Sequence, residues 1–195
     1  MPRHNHNLGT VLRGVGVSPG IILGNAYRLD STDIQIEHIH LPDSLLNAEV
    51  KRLHEAVARA DATIDKLQGD LTAAGHSDRT VDNPDTGEHI AVLDAHKLML
   101  HDPMLLGEAE KLIHSQGINA EWALSEALQH ILEIFEVMED PFFKERGRDV
   151  QDVGEMLLRA LQGDEGLRQV VGDVPRGAIV VAEVLSPAEA LTLAR

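Results

Sequence analysis

Histidine is the residue type in this chain that first suggests chemistry. There are eleven, and a neutral imidazole nitrogen can ligate a metal, carry a proton or attack an electrophile. Their spacing does not organise them for metal binding. No His-Glu-x-x-His motif occurs and no two histidines stand four apart, so no single helix turn presents a ligand pair. His96 and His101 are five apart, with Pro103 just beyond them. His38 and His40 share a face of an extended segment and form at most a weak zinc pair, and His4 and His6 lie in a polar tail. No metal site is expected from these residues. Gly14-Val-Gly16 with Gly20 departs from the dinucleotide fingerprint in spacing and contains Pro19, and no Gly-x-Ser-x-Gly elbow is present. The absence of cysteine excludes a disulfide framework, a thiolate metal site and a cysteine nucleophile, and it favours a reducing, cytoplasmic setting.

Charge narrows the class further. The 195 residues carry a formal charge of −15. Residues 41–140 hold 20 acidic and 7 basic side chains, so nearly all the excess lies in the middle of the chain. Nucleic acid is therefore not expected as a partner, because binding phosphates needs a basic surface. A basic protein face suits this charge better. No apolar run approaches the roughly 20 residues that span a bilayer, and the first residues lack a signal-peptide core. With aromatics at 3%, any core must be aliphatic.

The elements that would position these residues follow from periodicity. Residues 1–9 read as a disordered tail. Two apolar runs, 10–18 and 21–29, flank Ser18-Pro19-Gly20, and 34–40 alternates with period two; all three read as extended segments. From Leu46 to Leu71 the apolar residues Leu46, Val50, Leu53, Val57, Ala60, Ile64, Leu67 and Leu71 recur in steps of four and three, which predicts one long amphipathic helix from Asp43 or Ser44 to Gly75. A polar loop follows. A second helix runs from Glu88 to Leu100, and His101-Asp102-Pro103 breaks it and starts a third, which Gly117 closes. A fourth begins at Asn119 with Ala123, Ala127, Ile131, Ile134, Phe135 and Met138 facing inward, and a fifth covers about 143–161. The run 178–185 reads as a buried strand, with a short helix over 188–194. The expected architecture is mainly α: an antiparallel helical bundle with its linker helix over 41–163, inserted into a small, incomplete α/β domain formed by 10–40 and 164–195.

Five segments, in order, resemble one family. Gly14-Val-Gly-Val-Ser-Pro-Gly-Ile-Ile-Leu-Gly24 is similar to the opening of enzyme I of the bacterial phosphotransferase system, the phosphoenolpyruvate–protein phosphotransferases. Leu93-Asp-Ala-His-Lys-Leu-Met-Leu-His-Asp-Pro103, residues 142–154, Leu157-Leu-Arg-Ala-Leu161 and Ala178-Ile-Val-Val-Ala-Glu-Val-Leu-Ser-Pro187 resemble later stretches of it. The resemblance covers residues 12–195, least closely around 76–87. It implies a phosphohistidine-type α/β domain interrupted by a bundle that docks a histidine-containing phosphocarrier protein. The full enzyme moves a phosphoryl group from phosphoenolpyruvate, with Mg²⁺ assisting, through a histidine to that carrier; such catalysis is chiefly positioning and charge neutralisation.

The family's active histidine lies in a Gly-Gly-x-Thr-Ser-His stretch that this sequence does not contain. None of the eleven histidines matches it, so no catalytic residue and no cofactor are expected within the chain, and Mg²⁺ belongs to the full-length enzyme. The chain reads as a monomeric N-terminal fragment of the enzyme, and its motifs are shared by the sugar-type enzyme and by paralogues linked to nitrogen regulation. Two alternatives are a standalone, non-catalytic carrier-binding protein and a helical scaffold for another basic partner. The resemblance also assigns a carrier-binding set: Glu88, Ala91, Val92, Asp94, Ala95, His96, Leu98, Met99, Met104 and Leu105. Glu88 and Asp94 would pair with basic residues, and Met99 and Leu105 would supply apolar contact. Ordinary bundle core is the competing role for Val92, Met99 and Leu105. Pro103-Met104 stands where the family commonly has acidic residues, which thins the expected carboxylate ring.

Overall fold

The structure, a computed structural model, describes residues 15–16, 19–29, 34–77, 85–138, 140–163, 174–182, 185, 189–190 and 193. The expected N-terminal tail, most of the first apolar run and most of the loop near 76–87 lie outside these residues. The elements run β1 (Ala26–Leu29), α1 (Asp43–Ser77), α2 (Asp85–Leu100), α3 (Pro103–Gln116), α4 (Ala120–Val137), α5 (Pro141–Leu161) and β2 (Ile179–Ala182). β1 and β2 pair in parallel, Ala26 opposite Ile179 through Leu29 opposite Ala182. The two strands flank α1 to α5 in sequence, so the bundle is an insertion between partners of one sheet.

The long helix follows its apolar stripe. Leu46, Leu53, Val57, Ala60, Ile64 and Leu67 are buried in the core, with Val50 and Leu71 packed against it. α3 begins and ends as its sequence requires. The Asp102 carboxylate accepts the Met104 N–H at 2.8 Å, Pro103 fills the first turn, and Gly117 closes the helix at φ 64°. That left-handed geometry suits glycine, and a Cβ there would also stand 3.2 Å from the Leu41 carbonyl oxygen.

Two expectations fail. Residues 34–40 form no strand; they make one isolated antiparallel bridge, His40 to Ile118. The segment is instead stitched to the α3–α4 connection. Leu41 N–H donates to the Gly117 carbonyl at 2.6 Å, Asn119 N–H to the Ile39 carbonyl at 3.0 Å, and Ile39 N–H to the Asn119 side-chain oxygen at 3.1 Å. Its alternation reflects packing of Ile34 and Ile36 on the bundle core. Ile134, expected to face inward, is exposed, and α4 buries Leu124 and Leu128 beside Ala123, Ala127 and Ile131. The inward stripe of α4 is therefore wider than its spacing suggested, and it continues past Ile131 through Leu132 and Phe135, which pack against the core.

Asn119 gives its side-chain oxygen to Ile39, so it makes no side-chain cap to α4. Glu49 of α1 replaces it, accepting the Ala120 N–H at 2.7 Å, where a carboxylate also meets the positive end of the helix. At the opposite polarity, Arg59 of α1 donates to the Ala160 carbonyl at 2.9 and 3.1 Å, and Arg52 reaches the Leu161 carbonyl at 3.4 Å. Charges on α1 thus terminate two neighbouring helices.

Candidate functional site

The α2–α3 corner carries most of the assigned carrier-binding residues, and local chain chemistry builds it. Past Leu100 the helix tightens, with His101 N–H donating to the Leu98 carbonyl at 3.3 Å and Asp102 N–H to the Met99 carbonyl at 3.0 Å. Asp102 then serves as cap for α3, accepting through its own carbonyl from Leu105 and Leu106 at 3.1 Å each. The chain turns within the three residues that the sequence marks as a break.

α1 backs the corner through polar pairs. Lys97 Nζ donates to Asp65, the His101 Nε2 atom lies 2.8 Å from an Asp61 carboxylate oxygen, and Gln68 Nε2 donates to Asp94 at 2.8 Å. The hydrogen bond to Asp65, with smaller help from the charges of Asp65, Asp61 and Asp94, raises the Lys97 pKa above its ordinary value. Lys97 and His101, one helical turn apart, therefore face Asp61 and Asp65, spaced likewise on α1. Sequence reasoning missed the pairing of these four residues. Their signal was two matched pairs at a spacing of four, one acidic and one bearing Lys and His, each beside an apolar stripe.

The outward face separates into two classes of assigned residue. Leu98 and Met104 are 78% and 60% exposed. Ala91 and Asp94 are exposed, and Val92 and Ala95 are half-buried. His96, Met99 and Leu105, at 1%, 8% and 3% exposure, lie in the core. Met99 and Leu105, expected to supply apolar contact, are thus part of the bundle core, and the exposed apolar side chains of this face are Leu98 and Met104. One residue along a helix is a rotation of roughly 100°, enough to exchange solvent for core. Glu88 lies within α2, and its side chain falls outside the described atoms. Asp94 accepts from a neutral amide and adds to the field that Lys97 feels, and Asp102 caps a neutral backbone.

A concavity of about 490 Å³ lies where the chain enters the bundle and includes Glu37, Glu49, Arg52, Asn119 and Glu121 in its lining. Arg52, Glu49, Asn119 and Glu121 are already engaged with one another or with backbone groups. Arg52 donates to Glu49, to Glu121 and to the Leu161 carbonyl, and Asn119 donates to Glu121. The Glu121 hydrogen bond outweighs burial and holds the Arg52 pKa above its usual range. Burial pushes the Glu121 carboxyl up, but Arg52 and its other hydrogen bonds bring it below the ordinary value. This cleft is a structural junction with saturated donors. His38 and His40, the other weak candidates, pack on Trp122: His38 stacks on it at 4.3 Å and His40 meets its edge at 5.2 Å. Among the described residues, no group of three or more His, Asp or Glu side chains is placed to hold a metal ion, and no helix is long and apolar enough to cross a membrane.

Comparison with known proteins places this corner in context. The family profile described as "PEP-utilising enzyme, N-terminal" matches residues 13–146. Phosphoenolpyruvate-protein phosphotransferase of Cupriavidus necator is 34% identical over 187 residues, covering 92% of this chain and 30% of that protein. The Bacillus subtilis protein of the same name is 32% identical over 181 residues, covering 93% and 28%. An NMR solution structure of Enzyme I (nEIt) superposes with a TM-score of 0.70 at 22% identity, over 94% of this chain and 69% of the other. A structure of the N-terminal domain of Enzyme 1 – Nitrogen gives 0.60 at 22% identity, over 89% and 66%. At that identity the two structures speak for the fold. The chain spans about 30% of the length of these curated relatives.

Proposed function

The chain belongs to the PEP-utilising enzyme N-terminal family, and from that premise we propose that it acts as the N-terminal part of an enzyme I-type protein and that its bundle docks a histidine-containing phosphocarrier protein at the α2–α3 corner. The supporting observation is two exposed apolar side chains, Leu98 and Met104, with the carboxylates of Asp94 and Asp102 near them in sequence, on a helical unit whose other apolar stripes are largely buried. A carrier face with an apolar centre and a basic rim complements it. Interfaces of this kind take affinity from a buried apolar centre and association rate from the charged rim.

In this reading, 10–40 with 164–195 belong to a phosphohistidine-type α/β unit and 41–163 to the docking module of a cytoplasmic enzyme. The phosphoryl transfer itself, from phosphoenolpyruvate with Mg²⁺, belongs to the whole enzyme and to a histidine in a Gly-Gly-x-Thr-Ser-His stretch absent from this sequence. Residues of this chain bind and orient the carrier. Titration of isotope-labelled phosphocarrier with this chain tests the reading. Shifts clustered on the carrier's basic face are expected, and affinity should weaken as salt rises, because the rim charges are exposed. Absence of shifts at high concentration overturns carrier docking and favours the scaffold alternative, whose partner would be another basic protein.

A further inference from the structure

His96 points into the bundle, away from the exposed Leu98 and Met104. It is 1% exposed, and neither ring nitrogen has a hydrogen-bond partner. Such an arrangement is rare, since buried polar atoms are nearly always paired. It sits on the inner side of α2 with Leu93 and Leu100, while Ala91, Asp94 and Leu98 of the same helix face solvent. α2 packs on α1 and α5. From α5, Asp149 is the charge whose field reaches the ring. From α1, Asp61 and Asp65 turn toward α2 but are held by His101 and Lys97, and Gln68 holds Asp94.

We propose that His96 is a proton-operated latch: the neutral ring seats α2 against α5, and protonation releases α2 together with the α2–α3 corner. A neutral imidazole is tolerated in an apolar layer at moderate cost. An imidazolium there has no hydrogen-bond acceptor, and it reaches Asp149 or water only by leaving its seat. Burial lowers the His96 pKa, and the opposing pull of Asp149 is the smaller effect. The sign follows. The unfolded or released state binds the proton more readily, so seating is favoured above the ordinary histidine value and weakens as pH falls below it. The consequence for the fold of α2 stands alone; the consequence for carrier binding rests on the docking reading given above.

The test follows the His96 ring by NMR between pH 8 and pH 5, with amide exchange measured along the same chain. His96 should remain neutral to lower pH than the exposed histidines. Protection of α2 amides, corrected for intrinsic exchange, should fall between pH 7.5 and 5.5 by a factor approaching about tenfold, the limit for a group whose released value is near 6.5. α4 amides should change less. His96→Phe, or His96→Leu if the larger ring does not fit, should remove the pH dependence from α2. A His96 ring that titrates like an exposed one while α2 protection stays constant overturns the latch. So does equal loss across α2 and α4, or a pH dependence that persists in a folded variant. If neither variant folds, the ring titration and exchange profile of the unaltered chain decide alone.

Discussion

Arg52 lies between Glu49 and Glu121 and ties the start of α1 to the start of α4 and the end of α5. Removing it leaves two carboxylates, each 13–14% exposed, facing one another without a cation. Arg52→Met should therefore destabilise by about 2–3 kcal/mol, less than for a fully buried pair because water reaches a third of the arginine side chain. Urea unfolding measures it; a change below about 0.5 kcal/mol would remove Arg52 as a fastener. Asp152 presents the opposite case. Burial, then the charges of Glu155, Asp149 and Glu189, push its carboxyl up to about 6. Its folded value exceeds its unfolded one, so its contribution is favourable in acid and is lost as pH rises from about 4 through 6. Asp152→Asn should raise Tm at pH 7.5 by about 2–4 °C, the effect of about 1 kcal/mol in a chain this long, and leave it little changed at pH 4. An equal gain at both pH values would contradict the origin given for the shift. At this scale the sequence was least legible. The motif identified the stretch 88–105, yet only three-dimensional packing distinguishes exposed Leu98 from buried Met99, and Met104 from Leu105. Arg52, Asp61 and Asp65 carry no motif, because their partners lie on other helices.

Among the elements, the α4–α5 contact depends on a glycine. A Cβ at Gly154 would lie 2.5 Å from Leu128 Cδ2, and Leu128 is itself buried. At Gly147, two helical turns earlier, a Cβ would find ordinary contacts at 3.8 Å. Alanine favours a helix interior over glycine by about 1 kcal/mol, while overpacking costs about 1–3 kcal/mol. Gly147→Ala should thus be neutral or stabilising, and Gly154→Ala destabilising by about 1 kcal/mol. Thermal unfolding of the two variants makes the comparison, and a Gly154→Ala protein at least as stable as the Gly147→Ala protein would show that the helices are free to separate. Helices were the readable part of the sequence. The 4-3 stripe of α1 and the Asp-Pro and Gly signals of α3 act through neighbours a few residues away. The failure at 34–40 has the same logic. Period-two alternation reports which side chains face the core, but a strand also needs a hydrogen-bonding edge, and this segment's partners are Gly117 and Asn119, which belong to a helix connection.

For the molecule as a whole, the order of segments was legible because a parallel strand pair split by helices leaves apolar runs at both ends of a chain with an amphipathic middle. The pairing of β1 with β2 was not, since nothing in either tetrapeptide names its partner. The concentration of acidic residues between 41 and 140 was visible as well. It overstated the free negative charge near the proposed docking face, because Lys97 engages Asp65 of α1. What remains there is a small apolar centre with Asp94 and Asp102 near it in sequence, and the reading of this chain as a docking module depends on that location. The most direct measurement labels this chain with ¹⁵N, titrates it with unlabelled histidine phosphocarrier, and maps the shifted amides. The account predicts perturbations centred on Ala91, Asp94, Leu98 and Met104, abolished by Leu98→Asp with the far-ultraviolet spectrum unchanged. Saturable shifts centred instead on the Arg52 cleft or along α4, with the α2–α3 corner silent, would contradict it.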